Sequence, residues 1–511
     1  MIRVFALSMA ISMLGILVTD PIWAAERGGF SSQATGAVQR ANTWAMLDGP
    51  AKADEPAQVK AVPADPGYAA SQDKEDEKEP EKEPESPFIE EKTAITEDAS
   101  REAIGDAGCG TCGGYGVANG CGCSAGACDT RCSSCCYCNE PYRLLNSRAL
   151  QCRGIEIGGW VDQGISVVAN MPADRYNGVV TFNDRDDEYQ MNQFWMFMEK
   201  LAYTGGYGWA VGGRIDFVYG TDARFTQASD GLEARWDQTE RFYQAALPQF
   251  YADLAYNDLT IRAGHFFTIL GYEVVQAPQN FFYSHAYTMQ YGEPFTHTGM
   301  LAIYDMSDRI SVTAGFHRGI DQFDDTDGWD TLGFIGAVHL ASWNDATAVD
   351  FAITSGEQGP DNNTVIYSIV ATWNVTDRLV YVIQNDLGQS VGGGVLAQQR
   401  MRIAEWFGIN QYILYQINPC WAAGARIEWF RDRDGTRVHG LGDGNLNQSR
   451  FSGDFYEITL GLNWTPHPNV IVRPEVRWDW FDSDDNHDAN PYDAGQRNDQ
   501  FMLGCDFIIS Y

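Results

Sequence analysis

The side chains best placed to do chemistry stand in alternating rows near the C-terminus. Arg426 and Glu428 are two residues apart, and Arg473, Glu475, Arg477 and Asp479 repeat that spacing. Residues two apart share one face of a β-strand. The residues between them are apolar: Ala425, Ile427 and Trp429 in one run, Pro474, Val476, Trp478 and Trp480 in the other. Arg214, Asp216 and Arg262 have the same phase further upstream. Opposed charges on one face can set a transverse field for ions in water, or they can brace a wall as ion pairs. Both readings stay open at this point.

Two common catalytic patterns are missing from the chain. There is no H-E-x-x-H or P-loop, so neither a zinc site nor a phosphate cradle is indicated. The eight histidines are scattered, and Ser284 and His285 would point to opposite faces of a strand. An enzyme is not expected, nor is a cofactor or a bound metal. Two aspartate groups, at 324, 325, 327 and 330 and at 482, 484, 485 and 488, could attract Ca²⁺. Without a complete EF-hand loop they read as solvated surface.

Ten of the twelve cysteines form a third candidate site. They are Cys109, Cys112, Cys121, Cys123, Cys128, Cys132, Cys135, Cys136, Cys138 and Cys152. In an exported chain such a cluster is first a disulfide knot. Thiolate metal binding, a lipid anchor and an intermolecular cross-link are the alternatives, and one sequence does not set the connectivity.

Export is indicated by Arg3, the apolar run from Val4 to Val18 and Ala24-Ala25, the order of a secretory signal. The chain has 511 residues and a net charge of −34, which excludes a nucleic-acid binder. Residues 26–107 carry 19 acids and 9 bases, rich in Glu, Lys and Pro. That composition buries too little apolar surface to offset chain entropy, so a disordered linker is expected. No run of about 20 apolar residues follows the N-terminus, so membrane-spanning helices are excluded. The expected organisation is a signal peptide at 1–25, a linker at 26–107, a Cys-rich segment at 108–152 and one large domain at 153–511.

Period-two alternation governs that domain. Tyr456, Ile458, Leu460, Leu462 and Trp464 share one face, while Glu457, Thr459, Gly461 and Asn463 share the other. Large aromatics tip the apolar rows: Trp421 and Trp429, and Tyr456 and Trp464, are each eight residues apart. Eight residues span about 26 Å along a strand, or roughly 20 Å along the axis of a tilted barrel. This suits an apolar band between aromatic girdles better than the interior of a soluble sandwich. The chain closes on Phe501, Leu503, Cys505, Phe507, Ile509 and Tyr511 in alternation, like the last strand of an outer-membrane barrel. Sixteen strands are expected, near 155–169, 190–202, 207–219, 241–255, 258–268, 296–305, 309–318, 331–342, 347–355, 363–374, 378–387, 401–416, 420–430, 452–465, 469–481 and 499–511. Long connections follow the odd strands and short turns the even ones, so both termini belong on the short-turn side. The expected fold class is all-β, an antiparallel transmembrane β-barrel of about 16 strands.

Several stretches resemble the putative β-barrel porin-2, OmpL-like family of outer-membrane proteins. They are GWVDQGI from Gly159, NGVVTFNDRDDEYQMNQFWMFMEK from Asn177, TGGYGWAVGGRIDFVYGTD from Thr204, and AGHFFTILGYEVVQAPQNFFYSHAYTMQYGEPFTHTG from Ala263. The resemblance implies a pore-forming barrel in the outer membrane and supplies no catalytic residues. It covers about 350 residues and leaves the acidic linker and the Cys cluster unexplained.

If the barrel encloses water, inward side chains set its selectivity. The pore-lining set is then Arg214, Asp216, Arg262, Arg426, Glu428, Arg473, Glu475, Arg477 and Asp479. Residues 270–294 form the longest and most apolar connection, with Phe281, Phe282, Tyr283 and His285. Long loops are functional or disordered, and this one is expected to fold into the lumen as a constriction, with Glu273 and Glu293 facing the Arg wall. A subunit contact on the barrel exterior is the alternative. The expected partners are outer-membrane lipid and small hydrophilic solutes, with a homotrimer by analogy, cell-wall contact through the N-terminal segment, and no nucleic acid. The linker is expected on the periplasmic side. A structural or adhesive envelope barrel, cross-linked through its cysteines, is the competing class.

Overall fold

A computed structural model describes residues 141–511 apart from 146, 229–230, 234–235, 237–241, 325–331, 345, 359–361, 393–402, 442–448 and 485–489. The expected signal, the linker and the cysteines from Cys109 to Cys138 lie outside the described residues, as do parts of both aspartate groups. Among the described residues no group of acids, histidines and cysteines could hold a metal ion.

Sixteen antiparallel strands close into one barrel. The first eight are β1 Ile155–Val168, β2 Glu188–Lys200, β3 Trp209–Gly220, β4 Gln244–Tyr256, β5 Leu259–Phe267, β6 Thr296–Ser307, β7 Ile310–His317 and β8 Gly333–Ala341. The others are β9 Thr347–Glu357, β10 Asn362–Thr376, β11 Leu379–Gly392, β12 Ile403–Asn418, β13 Trp421–Asp432, β14 Gly453–His467, β15 Val470–Ser483 and β16 Asp499–Ser510. Each strand pairs with its neighbours in sequence, and β1 closes the ring on β16 with Gly164 opposite Asp506. Closure leaves no unpaired edge, which is the condition for strands to cross a bilayer.

The alternation resolves in one direction. Leu460 is 53% exposed and Trp478 45%, on the outside. Arg426, Glu457 and Arg477, on the inward phase, are fully buried. An apolar exterior around a charged interior inverts the arrangement of a soluble sandwich and matches a barrel in lipid. Trp421 lies opposite Trp464 in register, their rings stacked at 5.7 Å. At the other end of the same strands Trp429 faces Tyr456, which stacks on Trp480 at 5.2 Å. These are the two expected girdles.

The strand count agrees with expectation, and β1 begins and β16 ends on the short-turn side. One connection differs. The link after β9 is only residues 358–361, because the ladder continues through Glu357 opposite Asn363. Gly356, Glu357 and Asn362 read as loop by composition, yet they extend both strands. Among the cysteines, Cys152 is disulfide-bonded, and so is Cys420 in the turn between β12 and β13, which the sequence does not indicate. Cys505 is free on β16.

Candidate constriction site

The connection between β5 and β6, residues 268–295, is termed L3. It holds only a 3₁₀ turn at Ala277–Gln279 and a π-turn at Thr288–Gly292. Phe281, Phe282, Tyr283, Tyr287 and Tyr291 are nevertheless buried. An irregular chain out of water must find partners for its own N–H and C=O groups. The charged wall supplies them.

Carboxylates take the N–H groups. Glu475 accepts from Tyr283 N at 2.9 Å and from Ser284 N at 3.1 Å. Glu428 accepts from Tyr287 N and Thr288 N, both at 2.6 Å, and from the Thr288 hydroxyl at 2.7 Å. Guanidiniums take the carbonyls. Arg473 donates to Ala277 O at 2.8 Å and Asn280 O at 2.7 Å, Arg426 to Ser284 O at 2.6 Å, and Arg477 to His285 O at 2.6 Å. The alternating Arg/Glu row therefore answers the alternating donors and acceptors of a loop backbone.

The same charges are paired among themselves, as burial requires. Arg426 Nε donates to Glu457 at 2.5 Å, Arg473 Nε reaches both Asp506 oxygens at 3.0 Å, and Arg477 Nε donates to Asp479 at 2.8 Å. From the loop side Glu273 accepts from Arg426 at 2.7 Å, from Ala286 N at 2.9 Å, from the Tyr412 hydroxyl at 3.1 Å and from His285 Nδ1 at 3.2 Å. Burial alone would raise the Glu273 pKa. Arg426, His285 and the Ala286 N–H outweigh it and hold the group at about 2.

Glycines on the inner face make room for the loop rings. A Cβ at Gly424 would meet Phe281 Cε1 at 2.4 Å, and one at Gly164 would meet the Tyr283 ring at 2.6 Å. Glycine in an inward row thus marks close approach of L3 rather than a weak strand.

Two expectations need correction. Glu293 does not face the Arg wall. It lies against β11, hydrogen-bonded by Gln384, whose amide also reaches Asp386 at 3.0 Å. Burial and the neighbouring Asp386 push its pKa well above the usual carboxylate range. Arg426, Glu428, Arg473, Glu475, Arg477 and Asp479 point inward as expected, but they are no more than 4% exposed. They are covered by L3 and do not line open water. The other three expected residues are held by the wall and not by L3, in every hydrogen bond and ion pair they make among the described residues. Arg214 pairs with Asp216 at 2.7 Å and Glu199 at 3.2 Å, and Arg262 pairs with Asp253 at 2.9 Å over the Tyr251 ring. These are wall braces that keep part of their surface, with the Arg214 and Arg262 side chains 11% and 15% exposed.

Sequence reasoning misses the partners Glu457 and Asp506, although both lie on inward phases of expected strands. It also misses that the loop between β1 and β2 enters the lumen. Val179, Val180 and Phe182 are buried there, the Tyr291 hydroxyl donates to Val179 O at 2.6 Å, and Thr181 N donates to Gln290 at 2.5 Å. The pair Val179-Val180 in an otherwise polar connection is the signal that could have found it.

Residues 154–511 match the family model described as Putative beta-barrel porin-2, OmpL-like. No curated relative matches. Among solved structures, the chain is similar to the outer membrane channel DcaP of Acinetobacter baumannii, with 12% identity, 73% of this chain and 100% of that chain covered, and a TM-score of 0.44. It is similar to an anion-selective porin from Comamonas acidovorans, with 9% identity, 70% and 99% coverage and a TM-score of 0.48. It is similar to Pseudomonas putida OprB, with 11% identity, 71% and 96% coverage and a TM-score of 0.47.

Proposed function

Since the chain belongs to the β-barrel porin-2, OmpL-like family and is an outer-membrane porin, a passive channel, we propose that it admits small hydrophilic solutes and ions past L3, which narrows the lumen. The observation that carries this reading is the clasp itself. Arg426, Glu428, Arg473, Glu475, Arg477 and Asp479 face inward from β13 and β15, and each hydrogen-bonds L3 within residues 277–288. Five of them hold loop backbone, and Asp479 accepts from the Tyr287 hydroxyl at 2.7 Å. Selectivity then belongs to the surface that L3 leaves open and to the braces around Arg214, Asp216 and Arg262, not to the covered row.

The N-terminal linker and Cys-rich segment fit the periplasmic side. Tyr142 N donates to Asn469 Oδ1 at 2.6 Å, and Asn469 Nδ2 donates to Tyr142 O at 2.8 Å, so the chain before β1 runs against the short turn between β14 and β15. A role for that segment in cell-wall contact and a homotrimeric assembly complete the proposal, with no catalytic activity. The disulfide-bonded Cys152 and Cys420, both at the short-turn end, favour a second, structural role in which cross-links tie the barrel to the envelope.

Reconstitution of the purified protein into planar bilayers tests the proposal. Stepwise currents that fall off for ions of increasing size are the expected result. Folded protein that inserts and gives no current steps would remove the transport reading and leave the structural one.

A further inference from the structure

At the long-loop end a pocket of about 370 Å³ opens above L3, within the size range of small-molecule sites. Its walls come from separate connections. Arg224 and Phe225 follow β3, Tyr291 and Phe295 belong to L3, and Arg437, His439 and Arg450 lie between β13 and β14. No described residue lining it carries a carboxylate.

The arginines differ in how they are neutralised. Arg224 is held by Asp184 through two bonds, at 2.7 and 3.0 Å. Arg437 has no ion pair among the described residues. Its Nε donates to Tyr291 O at 2.6 Å and its Nη1 to Gln358 at 2.8 Å, with the guanidinium over the Trp406 ring at 4.4 Å. Nearby Asp432 is occupied by the N–H groups of Thr436, Arg437 and Val438, and Asp321 by those of Phe295 and Thr296. The Arg450 guanidinium makes one hydrogen bond among the described residues, Nη1 to Thr436 O at 3.3 Å. Everywhere in the clasp a guanidinium has a carboxylate; here Arg437 and Arg450 have no ion pair among the described residues.

His439 Nδ1 donates to Arg437 O at 3.1 Å. Burial lowers the His439 pKa, and the two arginines lower it further, so it adds no charge at neutral pH. The Thr436 hydroxyl is buried without a partner among the described residues. Phe225, Phe295 and Tyr291 supply ring surface beside the cations. Two guanidiniums with no carboxylate in direct contact, Asp432 and Asp321 acting on Arg437 only from a distance, leave N–H donors that favour a planar two-oxygen acceptor. The rings favour a ligand with an apolar body.

We propose that this mouth pocket binds a small organic anion, a carboxylate attached to an aromatic or apolar body, held by Arg437 and Arg450. The pocket does not depend on transport, so binding and conductance can fail separately.

The experiment uses the full-length protein in detergent micelles with 4-fluorobenzoate as the probe, followed by ¹⁹F line broadening. Saturable broadening is expected with 4-fluorobenzoate, and none with the uncharged 4-fluorobenzamide. Acetate, which lacks the ring, should compete only weakly. Arg450→Gln, at an exposed side chain with a single hydrogen bond among the described residues, should weaken binding by about threefold or more. The R437Q/R450Q double variant should abolish it. Folding of each variant is checked by its heat-dependent shift on SDS gels. Because Arg437 also supports L3, the single Arg450→Gln variant decides the matter if the double variant misfolds. Absence of saturable broadening, equal broadening by the amide, or unchanged affinity in folded Arg450→Gln would each overturn the proposal. Binding without channel currents would leave it standing and count against the porin reading alone.

Discussion

Replacing Glu475 with Gln tests the clasp by removing one negative charge and little else. Each Glu475 oxygen accepts one N–H, from Tyr283 and from Ser284. In the Glu475→Gln variant the side-chain amide would keep one carbonyl oxygen and set an NH₂ against the other N–H. One charged hydrogen bond, worth about 1.5–3 kcal/mol, falls to a neutral one worth about 0.5–1.5, and the other donor is left buried and unmet at a cost of about 1–3 kcal/mol. The sum is on the order of 3 kcal/mol, or about two powers of ten in the ratio of released to docked loop. Arg426 and Arg477 lose a nearby negative charge as well, which adds to the effect. Single-channel recording at fixed salt is the assay. The expected result is a larger-conductance level that is rare in the natural protein and about a hundredfold more frequent in the variant, following that ratio. Identical traces from a barrel that is folded by heat-shift would refute the idea that wall charges hold L3.

Two further perturbations address packing and pH. Gly424→Ala brings a Cβ to 2.4 Å from Phe281, so it should lower the heat-shift midpoint by an amount corresponding to about 1–3 kcal/mol. Adding Phe281→Ala should recover most of that loss, and equal midpoints for natural protein and Gly424→Ala would contradict the contact. Glu273, held at about 2, contributes stability that is present above its unfolded value near 4.3 and is lost as pH falls through about 2. In a Glu293→Gln background conductance should therefore hold steady from pH 7 to about 4 and change only below that. Glu293 has the opposite sign. Its raised pKa gives stability that is full below the unfolded value and is lost as pH rises above it, so raising the pH should loosen that end of L3, and Glu293→Gln should flatten the rising-pH limb of a conductance–pH curve.

Much of the fold is legible because a membrane barrel writes itself in period two. Trp421 and Trp464 lie at one girdle and Trp429 and Tyr456 at the other, as spacing alone indicates. The inward direction of Arg426, Glu428 and the Arg473–Asp479 row is legible for the same reason. What covers those residues is not. An inward charge reads the same whether it faces water or a loop backbone, and only the contacts of residues 277–288 distinguish the two. The excess of aromatics in L3 gives its destination but not its register, so spacing places Glu273 correctly beside arginine and misplaces Glu293. The inner glycines look like part of a polar face, whereas Gly424 and Gly164 are seats for loop rings. The Cys420 bond is hidden because that residue stands far in sequence from the cysteine cluster.

Deleting residues 276–290 measures the central claim most directly. Those residues carry every backbone group that Arg426, Glu428, Arg473, Glu475 and Arg477 hold. Natural and shortened proteins recorded side by side in planar bilayers should differ in one respect, a higher unitary conductance once the six wall charges stand in water. A shortened barrel that folds, inserts and conducts at the natural level would mean that L3 does not narrow the lumen.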